Sequence, residues 1–206
     1  IDELVADANG NVNVSAGAEV VMIKSSDSAK TTITAPKDAQ GIIFQGKGGV
    51  IATINDGATV VDKAAGIVER VVVGTTAADR IVIADGKNSQ VTIGHGDTVV
   101  AGAGADTIVA GAGDSTVQGG TGYAIVKLGG DEDDYNVSVV GGHAVVKNLT
   151  SGNTTDISKI QFVQLDNGDA LIFAKNAAEA AVAQLYEATF GRAADANGLD
   201  YWFDLA

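Results

Sequence analysis

The sequence predicts a mainly β protein: a parallel β-solenoid, of the β-helix or β-roll kind, with a β-hairpin cap and a short C-terminal helical segment. Three observations predict it. Ala101–Val109, Ala110–Gln118 and Gly119–Lys127 repeat one another, each a small-residue loop followed by a β-branched segment. Apolar β-formers recur at Ile33, Ile42, Ile51, Val60, Val71, Ile81, Val91, Val99, Ile108, Val117 and Val126, spaced by eight to eleven residues. Of the aromatic residues, only Phe44 precedes Tyr123. Units this short cannot bury an apolar face alone, so neighbours must stack. A narrow interior can be filled by Val, Ile and Ala, whereas a compact core uses aromatics to fill volume. Residues 1–128 therefore read as the solenoid, 129–175 as a β-rich cap and 176–206 as the start of a helical domain.

Short strands separated by turns also suit a sandwich of hairpins. Regular spacing and repetition of the sequence itself favour the solenoid. Turn residues punctuate the strands at Asp7–Gly10, Asp56-Gly57 and Asp85–Asn88. With two units per turn of the coil, loops two units apart stack. Asp106 then faces Ala124, and Asp97 approaches Ser115. Beyond residue 128 the rhythm breaks. Tyr135–Val140 and His143–Lys147 flank Gly141-Gly142, and Ile160–Leu165 and Ala170–Phe173 flank Asp166–Asp169, so two hairpins are expected. They would cover the open end of the coil, whose last strands would otherwise expose unpaired edges. Ala177–Phe190 is rich in helix formers, with Ala181, Leu185 and Ala188 on one face and Gly191 as a C-cap. Asp195 is placed to cap a second helix carrying Leu199, Trp202, Phe203 and Leu205. The helical pattern is still running at residue 206, so the chain reads as part of a longer protein.

Composition narrows the function. The chain has 26 acidic and 13 Lys or Arg residues, a formal charge of −13, which disfavours nucleic acid and anionic membranes. It contains no cysteine, which removes disulfide and thiol chemistry. No apolar run approaches the roughly 20 residues needed to span a bilayer.

The stretch from Gly94 to Val126 resembles the glycine- and aspartate-rich repeats of RTX proteins, which bacteria export by type I secretion. Tyr135–Leu171, with Thr155–Phe162 and Leu165–Gly168, is similar to the β-rich cap that follows such repeats. Leu185–Trp202, with Tyr186, Gly191-Arg192, Asp195, Gly198 and Trp202, resembles the start of a helical domain of unknown function found in RTX-type and surface-layer proteins. The resemblance implies an extracellular or cell-surface bacterial protein of surface-layer or adhesin type. Its partners would be copies of itself or other surface components, or a polysaccharide. It also implies calcium between stacked loops, bound by backbone carbonyls and the aspartate of Gly-x-Gly-x-Asp. Asp106, Gly102 and Gly104 occupy those positions, with Asp97 and Asp114 displaced versions in neighbouring units. Calcium takes six to eight oxygen ligands, but Ser115 and Ala124 stand where further aspartates would. The alternative is that these loops simply turn tightly on glycine.

Other candidates are weaker. Thr98, Thr107 and Thr116 recur every nine residues, either as a surface-binding ladder or as plain β-formers beside the core. His95 and His143 read as solvent-facing, and without cysteine a zinc site is not expected. The acidic run Asp131–Asp134 reads as a solvated loop. No nucleophile elbow, phosphate loop or dinucleotide fingerprint is present. A non-enzymatic structural or adhesive module is therefore expected. The enzymatic alternative, a β-helix lyase or epimerase acting on acidic polysaccharide, would use Arg70 and Arg80 stacked together against a sugar carboxylate. The other alternative is a glycan-binding module, for which the rod lacks aromatic platforms.

Overall fold

The computed structural model describes residues 2–5, 12, 19–35, 39–54, 68–190 and 195–205. Val60, Gly191-Arg192 and the expected turns at Asp7–Gly10 and Asp56-Gly57 lie outside them. The first strands are β1 (Asp2–Val5), β2 (Val20–Lys24), β3 (Thr31–Ala35), β4 (Gly41–Gln45), β5 (Val50–Ile54) and β6 (Arg70–Val73). They continue with β7 (Arg80–Ile83), β8 (Ser89–Ile93), β9 (Asp97–Val100), β10 (Asp106–Ala110), β11 (Ser115–Gln118) and β12 (Ala124–Leu128). Next come β13 (Tyr135–Val140), β14 (His143–Asn148), β15 (Thr154–Ser158), β16 (Phe162–Leu165) and β17 (Ala170–Ile172). Helices α1 (Ala177–Phe190) and α2 (Ala196–Phe203) close the chain.

The protein is mainly β, with parallel strands in two sheets. One sheet runs β1-β2-β4-β6-β8-β10-β12-β16-β17 and the other β13-β14-β15-β11-β9-β7-β5-β3. From β2 to β12 consecutive strands alternate between the sheets, so hydrogen-bonded neighbours are two strands apart in sequence. The pairings are parallel except at β16–β17, β13–β14 and β14–β15. Asp106 pairs with Ala124 and Ser115 with Asp97, the stacking expected from two units per turn.

Alternation of side chains along each strand sends one set inward. In the first sheet, register stacks Val21, Ile42, Val72, Val91, Ile108, Val126 and Val163 in one column, each fully buried. In the second, Ile33, Ala52, Ile81, Val99, Val117 and Ile157 stack in the same way. Both columns belong to one core cluster. β-branched residues suit this position because their stiff side chains pack well on a pleated surface.

Two of the expected interior positions are reversed. Ile51 and Val71 are 37% and 38% exposed, and Ala52 and Val72 point inward in their place. Val50-Ile51 and Val71-Val72-Val73 offer apolar residues at both parities, so their pattern does not set the phase; the register of the neighbouring strands does. Nor does the rhythm end at residue 128. β15 and β16 pair in parallel with β11 and β12, adding one further strand to each sheet. The β13–β14 hairpin is inserted before them and pairs onto β15. The second expected hairpin is β16–β17.

Both helices pack where Phe162 leaves the outer face of the first sheet. Leu199 and Phe203 of α2 bury against Phe162, with Ile125, Ile172, Val182 and Tyr186 around them. Asp195 caps α2 by accepting from the Gly198 N–H at 2.8 Å. The face of α1 differs from the expected one: Ala181, Leu185 and Ala188 are exposed, and Val182, Ala183 and Tyr186 face the cluster. Alanine on all sides of α1 leaves its rotation open, and Glu179 fixes it. Its carboxylate accepts from Gln161 Nε2 at 2.8 Å and from the Lys175 N–H at 2.7 Å. Among the described residues no helix is long and apolar enough to cross a membrane.

Candidate functional site

The polar chemistry of the interior sits where strands begin. A strand starting from a turn leaves backbone N–H groups without ladder partners, and a buried donor must find an acceptor. Asp79, Asp97 and Asp106 supply it. Each lies inward and buried at or just before the first residue of its strand. Asp97 Oδ1 accepts from the Asp79 N–H of the preceding parallel strand at 2.7 Å, and its Oδ2 accepts from Gly94 in its own turn at 2.7 Å. Asp106 repeats the arrangement in the other sheet, accepting from Ser89 at 2.9 Å and Gly102 at 2.8 Å. Asp79 accepts from the Val50 N–H at 2.8 Å, the Thr75 N–H at 2.5 Å and the Thr75 hydroxyl at 2.8 Å. One carboxylate thus joins a strand both to the strand stacked beside it and to its own turn.

Burial raises the pKa of Asp97, and the neighbouring Asp79 charge adds to this, while the Gly94 and Asp79 N–H groups oppose it. Burial pushes Asp106 up to about 6. Asp85 pushes it the same way, against the two N–H donors and the charge of Arg70.

Arg70 takes the strand-start position two strands before Asp106 in the first sheet. Its guanidinium donates to both oxygens of Asp85, at 2.7 and 3.1 Å, and both side chains are fully buried. Its Nε has no hydrogen-bond partner. The pair makes a fork-to-fork contact inside the buried interior.

The residues read as calcium ligands fall into two sets. Asp106, Gly102 and Gly104 belong to turns of the first sheet, with Gly102 N–H bonded to Asp106. Asp97 and Asp114 belong to the second. Asp114 is exposed and accepts from the Thr154 N–H and hydroxyl at 2.8 and 3.1 Å, which lowers its pKa. Each oxygen of Asp97 and of Asp106 thus accepts from one amide N–H. Among the described residues no group of three or more His, Asp or Glu side chains could hold a metal.

The glycines have a steric reason. The Gly120–Gly122 loop lies directly on the Gly102–Gly104 loop, and the Thr121 and Gly122 N–H groups reach Gly102 O at 3.1 and 3.2 Å. A Cβ on Gly120 would stand 1.9 Å from that same oxygen.

The other candidates separate. Thr98 and Thr116 pair in the second sheet, but Thr107 lies in the first, beside Gln90 and Ile125. The alternation of strands splits a ninefold repeat between two faces, so the three form no single array. Arg70 is inward in the first sheet and Arg80 is exposed in the second, so they do not stack. His95 and His143 are exposed, and His143 Nδ1 lies 2.9 Å from Asp156. Asp131–Asp133 is exposed. Sequence reasoning saw Asp79 only as an aspartate after a loop without the Gly-x-Gly pattern, and Asp85 only as a turn residue. Asp79 had a signal, since it precedes Arg80-Ile81 as Asp106 precedes Thr107-Ile108. Asp85 and its pairing with Arg70 had none.

No protein-family model, curated protein or solved structure matches the chain.

Proposed function

We propose that the chain is a non-enzymatic structural or adhesive module of a bacterial surface protein, wound as a parallel β-solenoid with two strands per coil. The observation that carries this reading is the unbroken column from Val21 to Val163, in which every member is fully buried and in register. Such stacking makes a stiff rod whose length grows by one strand spacing, about 4.8 Å, per coil. The outer face of the first sheet supports a contact role. From β2 to β10 two of its outward ranks are Val20, Gly41, Val71, Gln90 and Thr107, and Met22, Ile43, Val73, Thr92 and Val109, with Lys24 beyond them at the end of β2. No member of these two ranks is charged, in a chain of net charge −13. The repeat and tail resemblances support a position outside the cell.

Co-sedimentation with bacterial cell envelopes and electron microscopy of the purified protein test the reading. Binding to envelopes or ordered assembly is expected, with no unsaturated product released from alginate or pectate. Release of product, or neither binding nor assembly, overturns it. A thermal midpoint higher with calcium than with chelator would add calcium between the stacked loops to this reading, and identical midpoints would remove it.

A further inference from the structure

The second sheet ends on β13, whose far edge has no strand partner among the described residues. The Leu149 N–H bonds to Asp134 O at 2.8 Å, and β13 pairs with β14 in the register Tyr135↔Asn148. Antiparallel ladders bond alternate residues to alternate sides. Asn136, Ser138 and Val140 therefore bond β14, and the N–H and C=O groups of Val137 and Val139 point to the open edge. The Tyr135 carbonyl does so too, while its N–H is held by Glu132 O.

The side chains repeat this imbalance. Val137 and Val139 lie opposite Val146 and Ala144, which are buried on the interior face. Yet Val137 is 39% and Val139 70% exposed, so the interior surface runs out past its cover. β13 reads Tyr-Asn-Val-Ser-Val-Val, with no charge and no proline. Natural sheets blunt such edges with lysine, proline, shortness or a covering element. The first sheet does so: β17 has three residues, and its Ile172 packs into the helix cluster.

The geometry points to a second copy of this chain as the occupant, with β13 pairing antiparallel to β13 across a two-fold axis at Val137. The strand is complementary to itself in that register. Val137 meets its own counterpart, and Tyr135 meets Val139 in both directions, an aromatic–β-branched pair of the kind that stabilises sheets. Val137 N–H bonds to the Val137 carbonyl and Val139 N–H to the Tyr135 carbonyl, each in both directions. Asp134 falls opposite the uncharged Val140. Elsewhere the acidic surfaces of two copies repel, and this strand is a neutral seam between them. Slipping the register by one residue turns the bonding groups away from each other. The contact is isologous, so it closes as a dimer. It names a partner for the scaffold reading without resting on it.

Sedimentation of the full chain over a concentration series tests this, and a monomer–dimer equilibrium is expected. Val139→Pro removes an edge N–H from each copy but no bond to β14, and edge strands tolerate proline on that side. It should weaken the dimer about tenfold or more. Val139→Lys, which keeps the backbone, should do the same. In this cysteine-free chain, Val137→Cys should form a disulfide-linked dimer on oxidation, and Leu149→Cys, exposed but off the seam, should not. A wild-type monomer at every concentration, a dimer indifferent to Val139→Pro and Val139→Lys, or equal cross-linking at both sites overturns the inference. A monomer that still binds envelopes fails this inference and leaves the scaffold reading standing.

Discussion

The mid-strand columns and the strand starts lie a few ångströms apart in the same interior and are held by different physics. At mid-strand, Val91, Ile108 and Val126 touch aliphatic neighbours above and below, and their backbone groups are paired by the ladder. Any apolar side chain of similar size serves there. At the strand starts the ladder has not begun, and Asp79, Asp97 and Asp106 accept from backbone N–H groups that would otherwise be orphaned, while Arg70 and Asp85 pair with each other. The aliphatic columns give the bulk of the stability through non-directional burial. The strand starts accept few substitutes, because a buried polar group without its partner costs more than the partnership yields.

That contrast can be broken by substitution. Arg70→Ala strands Asp85 in the interior and is expected to cost about 3–5 kcal/mol in urea unfolding. Arg70→Met with Asp85→Leu should recover most of that loss, because the double change removes both charges. Asp97→Asn comes next. Its amide nitrogen would face the N–H of Gly94 or of Asp79, so about 3 kcal/mol is expected despite the near-identical shape. A loss below about 1 kcal/mol would show that the strand starts are as tolerant as the columns. Ile108→Val, in the middle of its column, is expected to cost about 1 kcal/mol.

The smallest effect is on pH. Asp106, facing Asp85 and Arg70, has a folded pKa of about 6 against an ordinary value of 3.8. The native state therefore binds more protons than the unfolded chain between those values. The stability contributed by the protonated carboxyl is complete below the unfolded value and is lost as pH rises through the folded one. Asp97, facing Asp79 and Lys30, shifts in the same direction. Lowering pH from about 7 to about 5 should raise stability by about 1 kcal/mol. In Asp106→Ala that rise should shrink, as read from unfolding curves at the two pH values.

Much of this was legible in the sequence, and the exceptions follow one rule. Where polar turns and β-branched residues alternate cleanly, as from Ser89 to Leu128, strand positions, inward faces and the two-unit stacking could all be read. The α2 cap at Asp195 was readable for the same reason, since capping is a contact between residues near in sequence. Where both parities are apolar, at Ile51 and Val71, the pattern carried no phase. In α1, alanine on every side hid which face would pack.

The amino-acid order by itself determined the β segments, their period and the glycine loops, because these depend on steric and periodic preferences acting within about ten residues. Only the tertiary structure decided that Asp97 and Asp106 turn to amide N–H groups, that Arg70 meets Asp85, and that the ninefold threonines part to opposite sheets. Each joins or separates residues through the pairing and packing of strands distant in sequence. A carboxylate reads the same in a sequence whether its neighbour in space is a cation or an N–H.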